Sequence, residues 1–179
     1  GPGGQPLARP GHDLARMLAA PPRAWLLAGG MEPGADTLDG RLGAALGAAE
    51  FVVALTPFDS PELRRSAHVL LPAGTFVETA GTYVNGEGRW QSFNGCAKPV
   101  GEARPAWKIL RVLGNLLAID GFEYESAEQV RDELRAAVGG AVADNRYAGT
   151  HGVAPAATGA TVHVPIYAVD ALTRRSRAL

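Results

Sequence analysis

The sequence has one cysteine, few aromatic residues and almost no net charge. Cys96 is the only thiol among 179 residues, so the chain lacks the three or four soft ligands that a structural zinc or an iron–sulfur cluster needs. With 17 basic and 18 acidic residues, the chain has no electrostatic basis for nucleic acid as its main partner. No apolar run approaches the roughly 20 residues of a membrane span. We therefore expect a soluble protein, or one held at a membrane by a partner.

Short apolar runs alternate with segments of helical spacing in the first part of the chain. Such alternation predicts a parallel sheet with crossover helices, because strands buried on both faces read as continuous apolar runs. The predicted strands are Ala24–Gly30, Phe51–Thr56 and His68–Leu71, with helices after Asp13, over Leu38–Glu50 and after Asp59 or Ser60. Three strands are few for an independent sheet, which indicates half of a doubly wound domain or a small one completed by something else.

The middle of the chain predicts a β-ribbon followed by two helices. Residues 82–85 and 89–93 flank the glycine-containing loop 86–88, a length that hairpins favour. Pro105 opens a helix over Ala106–Leu117, and Ser126 with Gln129 forms a capping box for the next helix, which ends at Gly139 and Gly140.

The predicted fold class is therefore α/β: a partial doubly wound parallel sheet of about three strands, a β-ribbon, two further helices and an extended C-terminal tail. Residues 1–140 form the α/β region, with 1–12 as an irregular lead-in. Residues 141–179 form the tail, with one strand over Thr161–Ala168 and a solvated arginine cluster at Arg174, Arg175 and Arg177. We expect this tail to lie across a neighbour.

Familiar catalytic and nucleotide-binding motifs do not fit this sequence. Glycines follow the first strand, but their spacing is not GxGxxG, and Glu32-Pro33 puts a negative charge and a missing N–H where a pyrophosphate needs donors. P-loop and α/β-hydrolase signatures are absent. The histidines at 12, 68, 151 and 163 show no helical metal-site spacing. A nucleotide-binding module is therefore the weakest interpretation.

Polar residues concentrate in the loop and ribbon that follow the third strand. Loops at the carboxyl ends of parallel strands are where open α/β sheets bind ligands. An ordinary alternative is that glutamate and arginine pair across the ribbon and cover its aromatic face. These residues form no convincing catalytic set, and the candidates for a pocket are Glu78, Thr82, Asn85, Glu87 and Arg89.

The run HVLLPAGTFVETAGTYVNGEGRWQSF, followed by GEARPAWKILRVLGNLL, resembles the molybdopterin-oxidoreductase superfamily. More narrowly, WLLAGGMEP, FVVALTPFDSPELRRSAHVLLP and VPIYAVDALTRRS resemble the C-terminal part of the large iron–sulfur subunit of bacterial NADH-quinone oxidoreductase, respiratory complex I. The resemblance runs from about residue 13 to the end. His68 stands where that family usually has aspartate, which leaves the role of this position open.

This resemblance implies a structural and assembly module of the large iron–sulfur subunit, without chemistry or cofactor of its own. The family's intact subunit carries 2Fe–2S and 4Fe–4S clusters in an N-terminal region that this sequence lacks. Implied partners are the remainder of the large subunit and other peripheral-arm subunits of complex I, on the cytoplasmic face of the inner membrane without direct insertion. The five pocket candidates would then be vestigial. The alternative is a fragment of a molybdopterin- or tungstopterin-dependent oxidoreductase, such as a formate dehydrogenase, whose ribbon touches the pterin dinucleotide.

Overall fold

A parallel three-stranded sheet organises the first part of the molecule. The computed structural model describes residues 11–37, 40–139 and 166–177. Strands β1 (Ala24–Leu27), β2 (Phe51–Thr56) and β3 (Val69–Pro72) are hydrogen-bonded in the order β1-β2-β3. Leu26 lies beside Val53, and Val53 lies beside Val69. The predicted parallel sheet is confirmed.

Four short helices connect and flank these strands: α1 (Leu14–Ala19), α2 (Pro33–Asp36), α3 (Arg41–Gly47) and α4 (Pro61–Ser66). Asp13 caps α1 by accepting a hydrogen bond from the Arg16 N–H, as predicted. Ser60, rather than Asp59, caps α4, and its hydroxyl accepts from the Leu63 N–H. Side-chain caps of this kind satisfy backbone donors that have no partner within the helix.

The core lies between one face of the sheet and helices α1, α3 and α4. Leu42, Leu46, Val52 and Leu63 are almost completely buried. Trp25 and Leu27 of β1 join the same apolar cluster, together with Leu18 and Ala54. Burial of a leucine side chain contributes about 1.5–3 kcal/mol, so this layer provides most of the stability of the α/β region.

His68 has a structural role at the start of β3. Its Nδ1 atom accepts a hydrogen bond from the Val52 N–H at 3.0 Å, and its backbone N–H donates to the Val52 carbonyl at 2.8 Å. Its ring also lies 5.5 Å from the Phe51 ring. An aspartate at this position could offer the same kind of acceptor, so the histidine can replace it without loss of the contact.

The ribbon comprises β4 (Gly81–Val84) and β5 (Trp90–Phe93), which pair antiparallel. Tyr83 and Phe93 stack across it with ring centroids 5.0 Å apart. A Cβ on Gly81 would lie 2.8 Å from the Phe93 ring, so a larger residue at this position would have to displace that ring. The ribbon is confirmed, with bounds that differ from the prediction by one residue.

Helices α5 (Ala106–Leu116) and α6 (Ala127–Val138) follow the ribbon. A parallel bridge between Ala73 and Arg104 holds the start of α5 beside the end of β3. Ser126 caps α6 as predicted, but the Gln129 side chain accepts from the Glu125 N–H instead of from Ser126. The close approach of α5 to Phe122 depends on Gly114, whose Cβ would lie 2.3 Å from that ring.

Three expectations are corrected. The first strand ends at Leu27 because the chain turns at Gly29 and Gly30, both with positive φ. The helix expected over 38–50 is shorter, Arg41–Gly47, with residues 38 and 39 outside the described part. The strand expected over 161–168 is wrong at its end, since Ile166–Ala168 is a 3-10 helix, while 161–165 are not described. Within the described ranges, no helix is long and apolar enough to cross a membrane.

Replacing His68 tests its structural role. We expect His68→Ala to lower the free energy of unfolding by about 1 kcal/mol, because the Val52 N–H loses its acceptor. His68→Asp should keep most of that stability, since a carboxylate can accept the same hydrogen bond. Urea unfolding followed by tryptophan fluorescence measures both. Equal midpoints for wild type and His68→Ala would contradict the role.

Candidate functional site

A cleft of about 450 Å3 lies at the carboxyl edge of the parallel sheet. This is the edge where open α/β sheets bind ligands. The loops after all three strands contribute to it, through Gly29 and Gly30, Pro57 and Phe58, and residues 73–76. Thr79, Tyr83 and Ala106 complete that side of the lining.

Glycine is required where the chain leaves β1. Gly30 has a φ of +74°, donates its N–H to the Leu55 carbonyl at 3.1 Å, and would place a Cβ only 2.7 Å from Pro57. The loop after β1 therefore lies directly against the loop after β2. The two loops in contact form the bottom of the cleft.

The other wall of the cleft comes from residues 166–177, here called the C-terminal segment. Asp170, Ala171 and Leu172 line the cleft opposite the strand ends. Asp170 Oδ1 accepts from the Leu172 and Thr173 N–H groups and the Thr173 hydroxyl, which fixes a turn in this wall. The chain itself thus narrows the space at the carboxyl edge of the sheet.

Four charged residues attach the C-terminal segment to the loop and helix after β1. Glu32, Asp36, Arg174 and Arg175 form this group, which we call the C-terminal clamp. Arg174 donates from both Nη atoms to Asp36, at 2.9 and 3.1 Å. Its Nε atom lies 2.8 Å from Glu32 Oε2, but that N–H does not point at the oxygen, so this contact is one of charge only.

Arg175 completes the C-terminal clamp from the cleft side. Its Nη2 atom donates to Glu32 Oε1, and its Nη1 atom donates to the Ala171 carbonyl at 2.7 Å. The guanidinium also lies over the Phe58 ring, 4.3 Å from its centroid. A cation over an aromatic face contributes about 0.5–1 kcal/mol, and more where water is excluded.

The clamp is largely removed from water. The Glu32 side chain is 8% exposed and the Arg174 side chain 11%. A buried carboxylate is tolerated only with a cation and good hydrogen bonds. The expectation that the arginine cluster is solvated is therefore wrong for Arg174 and Arg175, although Arg177 is exposed. No local pattern could have shown this, because the paired residues lie 138 and 143 positions apart.

The clamp shifts the pKa values of its members. Burial raises the pKa of Asp36, but the hydrogen bonds from Arg174 and the Glu32 N–H, with the nearby positive charges, outweigh it. The net pKa of Asp36 lies below its usual value. The hydrogen bond to Asp36 raises the pKa of Arg174. The pair is therefore charged throughout the neutral range.

Local structure accounts for three of the five pocket candidates. Glu78 forms a capping box with Thr75, whose N–H and hydroxyl both donate to Glu78 Oε2, at 2.8 and 3.0 Å. The backbone hydrogen bond from Thr75 lowers the pKa of Glu78. Asn85 Oδ1 accepts from the Glu87 and Arg89 N–H groups, which closes the hairpin loop. The Thr82 hydroxyl bonds to Ser92 across the ribbon.

The five candidates do not converge on the cleft. None of them lines it, and Thr82 alone lines a smaller apolar hollow of about 210 Å3 between the ribbon and α6. Glu87 and Arg89 are exposed and do not pair, so the expected ion pair across the ribbon is absent from the described part of the chain. That the five form a vestigial pocket stays a prediction.

Removing the Glu32 charge tests the C-terminal clamp. Glu32→Gln leaves Arg175 without its carboxylate, so we expect the free energy of unfolding to fall by about 3 kcal/mol, the lower end for a broken buried pair. The loss of unfolding free energy cannot exceed the free energy with which the C-terminal segment docks, because the segment would otherwise detach. The exposed Arg177→Ala is the control and should change nothing in urea unfolding. Equal loss in both variants would contradict the clamp.

Acid should release the C-terminal segment. The folded pKa of Asp36 is depressed, and so is that of Asp170, where the Thr173 backbone hydrogen bond lowers it. Their stabilisation is complete above the unfolded aspartate pKa of about 3.9 and is lost as pH falls from there towards the folded values. Hydrogen exchange of the 174–176 amides, corrected for intrinsic rates, should show this loss. Asp36→Asn should weaken the dependence, and protection that stays constant down to pH 2 would contradict it.

Comparison with known proteins identifies the family of this chain. Residues 8–116, more than half of the chain, match the molybdopterin oxidoreductase family. The chain is 36% identical over 98 residues to the 78 kDa subunit of mitochondrial NADH-ubiquinone oxidoreductase from Neurospora crassa, covering 50% of this chain and 13% of that protein.

Other relatives are enzymes named for different substrates. The assimilatory nitrate reductase catalytic subunit of Bacillus subtilis is 39% identical over 101 residues, covering 56% of this chain and 14% of the relative. A Staphylococcus aureus protein named as a formate dehydrogenase is 38% identical over 68 residues, covering 38% of this chain and 7% of the relative. The chain thus spans only a small part of each relative. Its match over residues 8–116 nevertheless shows that it belongs to the molybdopterin oxidoreductase family.

Proposed function

We propose that this chain is a structural and assembly module of the large iron–sulfur subunit of a respiratory NADH:quinone oxidoreductase. In this role it braces the cluster-bearing part of the large subunit and contributes no chemistry of its own. Its partners are the remainder of that large subunit and other peripheral-arm subunits, on the cytoplasmic face of the inner membrane.

The observation that carries this proposal is the wall that the chain's own C-terminal segment builds at the carboxyl edge. In an open α/β sheet that edge is the ligand site, but here Asp170, Ala171 and Leu172 form one of its walls and the C-terminal clamp holds them there. A module whose own C-terminal segment is fixed at this edge is better suited to bracing than to binding and releasing a substrate.

The described cleft also does not fit a phosphate-bearing pterin, the cofactor that the family name implies. No lysine or arginine is among the described residues that line it. The nearest guanidinium groups, on Arg174 and Arg175, already neutralise Glu32 and Asp36. The carboxylate of Asp170 in the wall would repel a phosphate at close range. We therefore derive no step through such a group.

The exposed apolar surface is consistent with a packing role. Val112, Leu116, Leu117 and Ile119 are exposed on α5 and just after it. An apolar cluster of this kind is unusual on a free monomer and marks an interaction surface. The complex I relative is about eight times longer than the matched segment, since that segment covers 13% of it, which leaves ample protein to cover this surface.

The alternative function is a fragment of a molybdopterin- or tungstopterin-dependent oxidoreductase, such as a formate dehydrogenase. The likeness to the Staphylococcus aureus and Bacillus subtilis proteins favours it, because both carry names of substrate-specific enzymes. In that case the cleft would have to exchange the C-terminal segment for cofactor.

Purification from the source organism separates the two functions. The chain, tagged at its own locus, is recovered from detergent-solubilised membranes, and the preparation is tested for NADH oxidation, for respiratory subunits by mass spectrometry, and for molybdenum and tungsten. An NADH-oxidising assembly without either metal bound in proportion to the chain is the expected result. Stoichiometric molybdenum or tungsten without respiratory subunits would overturn the proposal in favour of the alternative.

Arg89 offers a sharper test of the bracing role. Its side chain is exposed and makes no ion pair in the described part of the chain, so its charge is free to contact a neighbouring subunit. We expect Arg89→Ala to reduce recovery of the assembly while leaving the urea midpoint of the isolated chain unchanged. Asn85→Ala is the matched comparison and should lower stability by about 1 kcal/mol, because two loop N–H groups lose their acceptor. If Arg89→Ala leaves recovery of the assembly unchanged, Arg89 does not contribute to the interface with a neighbouring subunit.

A further inference from the structure

The C-terminal clamp recognises two guanidinium groups in two different ways. Arg174 forms a bidentate pair, because its two Nη atoms donate to the two Asp36 oxygens at 2.9 and 3.1 Å. Arg175 lies between a carboxylate and a ring, since its Nη2 atom donates to Glu32 and its guanidinium lies over Phe58. A lysine ammonium cannot form the bidentate pair and stacks less well on a ring. The two carboxylates and the ring therefore select two adjacent arginines.

The turn that presents these arginines is formed by the C-terminal segment itself. The Arg174 and Arg175 N–H groups donate to the carbonyls of Asp170 and Leu172. The Arg174 Nη1 atom also donates to the Ala168 carbonyl, six positions earlier in the chain. All these hydrogen bonds lie within the segment, so its local structure does not depend on the rest of the molecule. A separate peptide of the same kind can form the same turn.

The arginine pair provides the polar attachment of this segment to the α/β region. Within residues 166–175, every hydrogen bond to another described part of the chain comes from the Arg174 or Arg175 side chain. The large apolar side chains of the segment remain 52–75% exposed: Ile166, Tyr167, Val169 and Leu172. Little apolar burial therefore holds the segment in place. Loss of the two arginine contacts would release it as a whole.

The cleft beside the clamp retains exposed aromatic surface. Phe76 is 55% exposed and Tyr83 is 63% exposed, and both line the cleft. A competing segment with an apolar side chain against these rings would bury surface that the chain's own segment leaves in water. A second copy of this chain offers only the contacts that the resident segment already makes, and it is not covalently joined to the site. The effective competitor is therefore a different protein.

We propose that Glu32, Asp36 and Phe58 form a binding site for an arginine-pair segment of a partner protein. The chain's own arginine pair occupies this site until the partner displaces it. The partner's segment carries two adjacent arginines and an apolar residue that fills the cleft. The C-terminal segment is thus a releasable strap and not a fixed part of the fold. This property goes beyond the proposed bracing role and does not depend on which complex contains the chain.

A peptide titration followed by NMR tests the site. The probe is a synthetic peptide with the sequence of residues 166–177, added to the isotopically labelled full chain carrying Arg174→Ala and Arg175→Ala. The Glu32 and Asp36 amide signals should shift at a peptide concentration at least about tenfold lower than in the wild-type chain. The reason is that the resident segment leaves the wild-type site free for only a small fraction of the time. Equal binding to both chains would place the peptide elsewhere and overturn the proposal.

Peptide variants test what the site selects. A peptide with Arg174→Lys and Arg175→Lys should bind at least about tenfold more weakly, because the bidentate pair is lost. The Arg177→Ala peptide is the control and should bind unchanged, since Arg177 is exposed in the structure. Undiminished binding of the lysine peptide would overturn selection for guanidinium groups.

The part played by the cleft has its own variant. Residue 171 lines the cleft, so a peptide with Ala171→Phe should bind at least about twofold more tightly, the lower end for an added aromatic contact. Equal or weaker binding of this peptide would overturn the apolar residue assigned to the partner.

The wild-type chain gives a readout that needs no substitution in the protein. Excess unlabelled peptide should move the backbone signals of Arg174 and Arg175 in the labelled chain to the positions of a flexible peptide. Signals that stay fixed at every peptide concentration would show that the segment is not exchangeable and overturn the proposal. A dimer that forms with rising protein concentration in sedimentation would make a second copy the competitor and overturn the assignment to a partner protein. These experiments use only the purified chain, so their failure leaves the proposed function intact.

Discussion

A carboxylate that is removed from water needs a positive partner, and Glu32 obtains two from the other end of the chain. It lies in the loop after the first strand, at the start of α2. Arg174 and Arg175 neutralise its charge and in doing so fix Asp170, Ala171 and Leu172 as a wall of the cleft. The position of the C-terminal segment at this edge thus depends on the pairing of the buried Glu32 carboxylate. Without the arginines, the loop after β1 would have to open to water.

The ribbon shows how a family motif can persist for structural reasons. Glu78 and Asn85 belong to the run that resembles the molybdopterin-oxidoreductase superfamily, and both bond to backbone N–H groups within four residues of themselves. A capping box and a closed hairpin loop are needed whether or not a ligand is present. Retention of these side chains is therefore no sign of chemistry. The Glu87 and Arg89 side chains make no such hydrogen bond within the described part of the chain. They are therefore the better candidates for contact with a neighbouring protein.

The sequence predicts those elements whose position depends on residues close together in the chain. It places Phe51–Thr56 to the residue because an apolar, β-branched run ends at a proline, and it begins the helix after Ser126 where the cap stands. The clamp is not predictable, because its partners lie more than 130 positions apart and arginines near a chain end usually face solvent. The end of the predicted strand at 161–168 fails for a related reason. β-branched composition indicates extended structure, but Ile166–Ala168 forms a helical turn.

Tethering changes how tightly the C-terminal segment has to bind. Because it belongs to the same chain as its docking surface, its local concentration there does not depend on the amount of protein. Contacts that would be too weak to hold a separate peptide can therefore keep it docked most of the time. The cost of closing the loop grows only by about 0.6 kcal/mol for each doubling of its length. A longer or shorter connection would therefore change the docking of the C-terminal segment only slightly.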